Sequence, residues 1–145
     1  MILKDRVAVL VKEKLQEEDY FLVSLKVSVT NDITILFDSM KGVSFKDCLN
    51  LSRYIDQNLD REIEDYSLNV SSPGLGTPFQ VKEQYLKNIG REIKIITKEG
   101  RRLKGILISY GKGLVIQKYN KSNNIEDIRI DLEQIKETKL VVKFK

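Results

Sequence analysis

The spacing of apolar residues changes within the first forty positions, and the change marks a new kind of element. Apolar residues recur every three or four positions over residues 3–18, which is the spacing of an amphipathic helix. From residue 21 the period becomes two, so we expect a strand over residues 21–30 that turns at Asn31-Asp32. An antiparallel partner is expected over residues 33–37. This pattern predicts a helix followed by a β-hairpin.

A second helix is predicted where the helical period returns. Ser44 precedes Asp47 by three residues, the spacing of a capping box, so the helix begins there. Its apolar stripe consists of Phe45, Cys48, Leu51, Ile55 and Leu59. Tyr66, Leu68 and Val70 then alternate with polar residues, as in a strand with one face on a core. The order helix, strand, strand, helix, strand predicts an α+β domain, a KH-like layer of helices on a three-stranded sheet.

A turn rich in proline and glycine ends the third strand. It consists of Ser71, Ser72, Pro73, Gly74 and Leu75. Its glycines are not spaced as in the phosphate loops G-x-x-x-x-G-K-[ST] and G-x-G-x-x-G, so we favour a rigid structural or contact turn over a phosphate cradle. If Gly74 has a positive φ, alanine at that position will cost stability or change the orientation of the domains.

We expect two small domains, an acidic α+β domain over residues 1–78 and a basic domain over residues 79–145. The second domain begins with a short connecting helix over residues 81–89, and Gly105 suits a bulge or a tight bend in one of its strands. Five strands are expected over residues 93–97, 103–110, 114–119, 125–130 and 139–144, with a helical turn over residues 131–135. Five short strands predict an SH3-like or Sm-like β-barrel, with an open sheet and an OB-type barrel as alternatives.

Charge divides between the two parts of the chain. The net charge is +4, but residues 1–80 carry 9 Lys and Arg against 13 Asp and Glu, whereas residues 81–145 carry 16 against 8. The first part is therefore −4 and the second +8. We expect the second part to face RNA phosphates and the first to face a basic protein, and the alternative is a solvated lysine-rich surface.

Several cations of the second domain are candidate RNA contacts, because on the expected barrel they lie on its first strands and hairpins. They are Lys94, Lys98, Arg101, Arg102, Lys104, Lys112 and Lys118. Clustered cations of this kind form an electrostatic footprint for phosphates. Tyr110 or Tyr119 is available to stack on an exposed base, with packing in the core or at an edge as the alternative.

The residue types that enzymes use most are scarce. The chain has no histidine, the commonest general acid or base and metal ligand, and its only cysteine, Cys48, is expected to be a core thiol. We therefore expect no enzyme, no cofactor and no metal, with a hydrolase that uses Ser71 or Ser72 as nucleophile as an alternative. The absence of a long apolar run and of a signal peptide predicts a cytoplasmic protein without a membrane partner.

Two motifs resemble those of one known family, and the resemblance extends over essentially the whole chain. Asp47-Cys48, Ser52-Arg53 and Leu59-Asp60 are similar to the pattern D-C-x-x-x-S-R-x-x-x-x-x-L-D of the ribosome maturation factor RimP family. Residues 66–75 resemble its signature Y-x-L-E-V-S-S-P-G-L almost residue for residue. The chain departs from the family at Asn69, where glutamate is usual, and at Gly76-Thr77, which replace an aspartate-arginine pair.

The resemblance implies a non-enzymatic cytoplasmic assembly factor with an α+β N-terminal domain and an SH3-like C-terminal barrel. Its implied partner is the small ribosomal subunit or its precursor, through ribosomal RNA and a basic small-subunit ribosomal protein. No small-molecule substrate is implied, and we expect a monomer. The lost arginine of the departing pair removes a plausible phosphate or carboxylate contact. A general RNA chaperone or regulator acting away from the ribosome is the alternative function.

Overall fold

The chain forms two units in the computed structural model, which describes residues 2–17 and 19–142. The first unit is Met1–Pro73 and the second is Gly74–Lys145. The division falls inside the proline-glycine turn, a few residues before the expected boundary after residue 78. The predicted α+β class is confirmed, because helices accompany a three-stranded sheet in the first unit and a five-stranded antiparallel sheet in the second.

The first unit has the predicted order of helix, strand, strand, helix and strand. Its elements are α1 (Ile2–Glu17), β1 (Phe21–Val27), β2 (Asp32–Asp38), α2 (Phe45–Asn58) and β3 (Ser67–Ser71). The strands β1 and β2 pair antiparallel, as expected of a hairpin, and β3 joins the other edge of β2 in parallel. Residue 18, which the sequence analysis included in the first helix, lies outside the described residues.

The core of the first unit lies between the two helices and one face of the sheet. Ile33, Ile35 and Phe37 alternate along β2 and are fully buried, as the period-two pattern predicts. The helices contribute Leu3, Val7, Val11, Leu15, Leu51 and Ile55 to the same cluster. Removal of these apolar surfaces from water is the main term that holds the helices on the sheet.

A capping box begins α2, as predicted. The Asp47 N–H donates to Ser44 Oγ at 3.1 Å, and the Ser44 N–H donates to Asp47 Oδ2 at 2.8 Å. The predicted place of Phe45 in the buried stripe is wrong, because this side chain is 84% exposed. At 100° per residue, Phe45 lies about 100° around the helix from the buried pair Leu51 and Ile55, and it belongs to the first turn, where the helix emerges from the core.

The second unit consists of a short helix and one antiparallel sheet. Its elements are α3 (Lys82–Lys87), β4 (Glu92–Thr97), β5 (Arg102–Tyr110), β6 (Gly113–Tyr119), β7 (Ile125–Asp131), a 3₁₀ turn (Leu132–Gln134) and β8 (Ile135–Leu140). The strand order is β7-β6-β5-β4-β8, so the first and last strands of the unit are neighbours. In the described part of the chain the hydrogen-bonded order ends at β7 and β8, and closure into a barrel is therefore not confirmed.

The last strand begins earlier than its apolar pattern predicts. β8 starts at Ile135 rather than at residue 139 and ends at Leu140, and residues 143 and 144 of the expected strand lie outside the described residues. The polar Thr138 breaks the pattern, yet it is buried opposite Ile95 and accepts a hydrogen bond from the Tyr85 hydroxyl at 2.7 Å. A buried threonine with a hydroxyl partner can replace an apolar residue without an unsatisfied polar group.

Gly105 marks a close approach between strands, not the bulge. A Cβ at Gly105 would lie 2.8 Å from the Gln117 carbonyl oxygen, whereas the shift in register of β5 lies between Leu107 and Ser109. Glycine is therefore needed at position 105 because the backbone of β6 occupies the space of a side chain.

Candidate nucleic-acid interface

Three lysines form a row across the middle of the second sheet. Lys94 on β4 lies directly opposite Lys104 on β5 and Lys139 on β8, so all three side chains share one face of the sheet. Directly opposed residues in antiparallel strands have Cβ atoms about 4.5–5.5 Å apart. We call Lys94, Lys104 and Lys139 the lysine row.

The lysine row lowers the stability of the sheet unless an anion is near it, because like charges directly opposite each other are destabilising. Lys139 forms an ion pair with Glu137 at 3.7 Å. Within residues 2–17 and 19–142, Lys94 and Lys104 form no ion pair. Two neighbouring cations are thus left for a ligand, which suits the face for phosphate groups.

A concavity of about 330 Å³ lies on the lysine row and adds a guanidinium to it. Arg102 is two residues before Lys104 on β5 and therefore shares its face. The lining residues also include Ile96, which lies opposite Arg102, and Glu137. The face therefore combines four cations with one carboxylate around this concavity, and its local charge is positive.

A second concavity, of about 300 Å³, continues from Lys104 towards β6 and β7. Tyr119 and Ile125 line it, lie directly opposite each other, and are 69% and 60% exposed. The ring of Tyr110 is packed instead, because it stacks on Tyr85 with 4.9 Å between the ring centroids. Of the two tyrosines that the sequence analysis named, Tyr119 presents an open ring and Tyr110 is a packing residue.

The remaining predicted cations lie apart from the lysine row to different degrees. Lys98 and Arg101 are exposed in the β4–β5 turn, next to the end of the ladder that carries the row. Lys112 lies in the β5–β6 turn, about 30 Å from Arg102 along a nine-residue strand. Lys118 lies opposite Glu126 and alternates with the buried Leu114 and Ile116, so its side chain leaves from the other face, although Lys118 also contributes to the lining of the second concavity.

Lys139 is the member of the row that the sequence analysis missed. Nothing local distinguishes it from other lysines of the last strand. Its role follows from the strand order, since β8 lies beside β4 although the two are separated by most of the unit along the chain.

The proline-glycine turn differs from the expectation about its glycines. Gly74 lacks the positive φ on which the predicted effect of alanine depended, and the φ of +83° belongs to Gly76. The Thr77 hydroxyl donates to the Gly74 carbonyl oxygen at 2.8 Å and closes the loop. The departing pair Gly76-Thr77 therefore forms its own local turn, in which a residue without a Cβ is favoured.

Cys48 has the surroundings of a core thiol, as predicted. It is partly buried and packs against the core of the first unit. Burial, and then the neighbouring Asp47, raise the pKa of the thiol above its ordinary value, while the Ser72 backbone N–H acts in the opposite direction. A thiol with a raised pKa is a poor nucleophile at neutral pH.

Tyr66, the first residue of the family signature, is a structural residue. Its hydroxyl donates to Asp56 Oδ1 at 2.6 Å, and the Arg61 guanidinium lies 4.2 Å from the ring centroid. Burial, and then Asp56, raise the pKa of Tyr66 to about 12. Arg61 also donates to the Tyr66 carbonyl oxygen at 2.6 Å, so the acidic loop before β3 is tied to the strand.

The helices in the described part of the chain include none long and apolar enough to cross a membrane. Among residues 2–17 and 19–142, no three histidine, cysteine or acidic side chains come together as metal ligands.

The comparison with known proteins agrees with the two motifs. The model of the RimP N-terminal domain matches residues 10–76, which lie almost entirely in the first unit. Proteins named ribosome maturation factor RimP are similar to the chain: that of Christiangramia forsetii is 42% identical over 101 residues, and that of Flavobacterium psychrophilum is 44% identical over 98 residues. That of Porphyromonas gingivalis is 35% identical over 109 residues.

These alignments cover much of each protein. They include 69%, 67% and 75% of this chain and 66%, 64% and 72% of the three relatives, respectively. The chain thus spans just under two thirds of the length of the first two relatives. The first unit is a RimP N-terminal domain, and the chain belongs to the ribosome maturation factor RimP family.

Proposed function

We propose that this protein is a cytoplasmic assembly factor that binds the small ribosomal subunit or its precursor and promotes its maturation without catalysis. Membership of the ribosome maturation factor RimP family carries the proposal. The lysine row supports it, because ribosomal RNA is the most abundant polyanion that a maturing subunit presents.

The mechanism we propose is a shift between conformations of the unfinished subunit. A partner that does no covalent chemistry changes such an equilibrium only by binding one conformation more tightly than another. The lysine row, with Arg102, Lys98 and Arg101 beside it, would contact RNA phosphates of the favoured conformation. The acidic first unit would face a basic ribosomal protein.

We also propose a particular architecture for each of the two units. The second unit pairs its first strand with its last and places a 3₁₀ turn before the last strand, which supports an SH3-like barrel. The first unit carries α1 and α2 on one face of its three-stranded sheet, which supports a KH-like layer. We propose a monomer that has a domain boundary after residue 78 and takes neither a small-molecule substrate nor a cofactor.

The test is co-sedimentation of the intact chain with free small subunits at low salt. We expect the wild-type chain in the subunit fraction and the variant Lys94→Glu/Lys104→Glu outside it. The control Lys112→Glu/Lys82→Glu makes the same change of charge in the β5–β6 turn and at the start of α3, whose Tyr85 contacts Thr138 on the other face of the sheet, and it should leave co-sedimentation unchanged. A wild-type chain that stays out of the subunit fraction but binds free RNA would contradict the proposal and favour a general RNA chaperone.

A further inference from the structure

We infer that the face of the second sheet that carries the lysine row binds single-stranded RNA, with phosphates on the lysines and a base stacked on Tyr119. This inference rests on the proposed function, which selects the surface. It adds that the RNA is single-stranded and that Tyr119 is the residue on which a base stacks.

The surface around the lysine row is continuous across four strands. Lys104 lines both concavities, so Lys139, Lys94, Lys104 and Tyr119 follow one another across β8, β4, β5 and β6. Neighbouring strands lie about 4.8 Å apart, which makes this track about 14 Å wide from β8 to β6. We call these four residues the basic track.

The end of the basic track at Tyr119 is apolar. Tyr119 and Ile125 leave an aromatic ring and an aliphatic side chain in water beside a cation. Such exposure is unfavourable for an isolated surface and is what a stacking platform for bases requires. Every base has a π-face, so a tyrosine beside a phosphate-binding lysine binds single strands without reading their sequence.

The carboxylates on this face orient the RNA. Glu92 and Asp127 lie in one row with Ile106 and Gln117, beside the basic track on the side away from Arg102, and Glu92 lines the second concavity. Asp127 accepts a hydrogen bond from Gln117 Nε2 at 3.1 Å, and Glu137 pairs with Lys139. These carboxylates would repel phosphates from that side of the track and from its β8 margin. The phosphates are therefore expected at Lys94, Lys104 and Arg102, and the base points towards β6 and β7.

Other anions would use only part of the basic track. A duplex presents phosphates and 2′-hydroxyls but keeps its bases stacked inside, so Tyr119 would have no partner. An acidic peptide would use the lysines and leave the exposed ring without a planar partner. Unpaired RNA uses both parts of the basic track.

The experiment measures the affinity of the intact chain for fluorescent oligouridylate by anisotropy, with a blunt-ended RNA duplex as the comparison. Tyr119→Leu keeps an apolar side chain opposite Ile125 but removes the ring, and Tyr119→Phe keeps the ring. We expect Tyr119→Leu to weaken oligouridylate binding about 5- to 150-fold and Tyr119→Phe to bind nearly as the wild type. Duplex binding should be weaker than oligouridylate binding and insensitive to both changes.

The lysines are tested by the salt dependence of the same measurement. Removal of one phosphate contact lowers the slope of log affinity against log salt by about 0.7 for single strands. We expect this decrease for Lys104→Ala and an unchanged slope for Lys112→Ala, which removes the same charge from a turn at the far end of β5. Equal slopes for the two variants would overturn the assignment of phosphates to the track.

The inference is overturned by equal affinity for duplex and oligouridylate, by full binding by Tyr119→Leu, or by equal affinity for a polyglutamate peptide, which would indicate an acidic protein partner. A wild-type chain that co-sediments with small subunits but does not bind oligouridylate would overturn this inference and leave the proposed function intact. A chain that binds oligouridylate and not subunits would do the reverse.

Discussion

At the scale of single residues, Gly76 shows how a departure from the family is accommodated. Its φ of +83° is a backbone conformation that side chains with a Cβ rarely adopt. The family pair of aspartate and arginine is replaced by a glycine and a threonine whose hydroxyl closes the turn on Gly74. The backbone conformation of Gly76, and not a side chain shared with the family, therefore determines the shape of this loop.

We predict that Gly76→Ala lowers the free energy of unfolding by about 1 kcal/mol, because alanine is strained at this φ. Gly74→Ala is the control: Gly74 has an ordinary φ, and the nearest atom to an added Cβ is Thr77 Cγ2 at 3.8 Å. Gly76→Asp should lose less than Gly76→Ala, since aspartate tolerates left-handed backbone better. Urea unfolding measures all three, and a larger loss for Gly74→Ala than for Gly76→Ala would contradict the assignment.

Tyr66 gives a prediction of pH dependence. Its pKa in the folded chain is about 12, against about 10 when unfolded. Because the folded-state pKa is raised, the stabilisation is fully present below pH 10 and is lost as the pH rises towards 12. Between pH 8 and pH 11 the wild type should lose about 1 kcal/mol more stability than Tyr66→Phe, measured by urea unfolding. Parallel pH curves for the two proteins would show that the Asp56 contact does not perturb Tyr66.

At the scale of elements, the structure agrees with those sequence signals whose interacting residues lie close together in the chain. The capping box of Ser44 and Asp47 formed as predicted, because its partners are three residues apart. The period-two pattern of β2 also predicted its buried face. By contrast, the bounds of β8 and the exposure of Phe45 depend on what packs nearby, and the sequence pattern misassigned both.

Gly105 provides the prediction at this scale. Gly105→Ala places a Cβ 2.8 Å from the Gln117 carbonyl oxygen, so β5 and β6 must separate. We expect a loss of about 1–3 kcal/mol in the free energy of unfolding, the usual cost of overpacking. Gly111→Ala, at a turn where an added Cβ meets nothing within 4 Å, should stay within about 0.5 kcal/mol of the wild type. Similar stabilities for the two variants would exclude a packing role for Gly105.

At the scale of the whole molecule, the division of charge is the main feature. The acidic first unit and the basic second unit place opposite charges on one chain, at −4 and +8. In the proposed function, attraction to RNA therefore depends on one unit and on its lysine row, while the negative charge of the other unit would repel phosphates. An interaction of this kind is sensitive to ionic strength.

We predict that binding to the small subunit weakens strongly with salt. Three phosphate contacts, at Lys94, Lys104 and Arg102, correspond to a slope of about −2 in log affinity against log salt, or about 20-fold between 50 and 200 mM. Sedimentation at a series of salt concentrations measures this slope. Binding that is insensitive to salt would show that apolar or protein contacts, and not the lysine row, hold the chain on the subunit.

The sequence by itself determined the properties that depend on neighbours along the chain. These include the helical and period-two elements, the capping box, the core thiol at Cys48, the division of charge and the two family motifs. Their physical basis is short-range, since propensity, capping and alternation involve residues a few positions apart.

The tertiary structure alone decided which of these residues act together. The position of β4 between β5 and β8 joins Lys139 to Lys94 and Lys104, and sends Lys118 to the other face. Packing on Tyr85 separates Tyr110 from the exposed Tyr119. Strand order and register are set by contacts between residues far apart in sequence, and a shift of one residue reverses every side chain, so a list of cations does not predict a binding face.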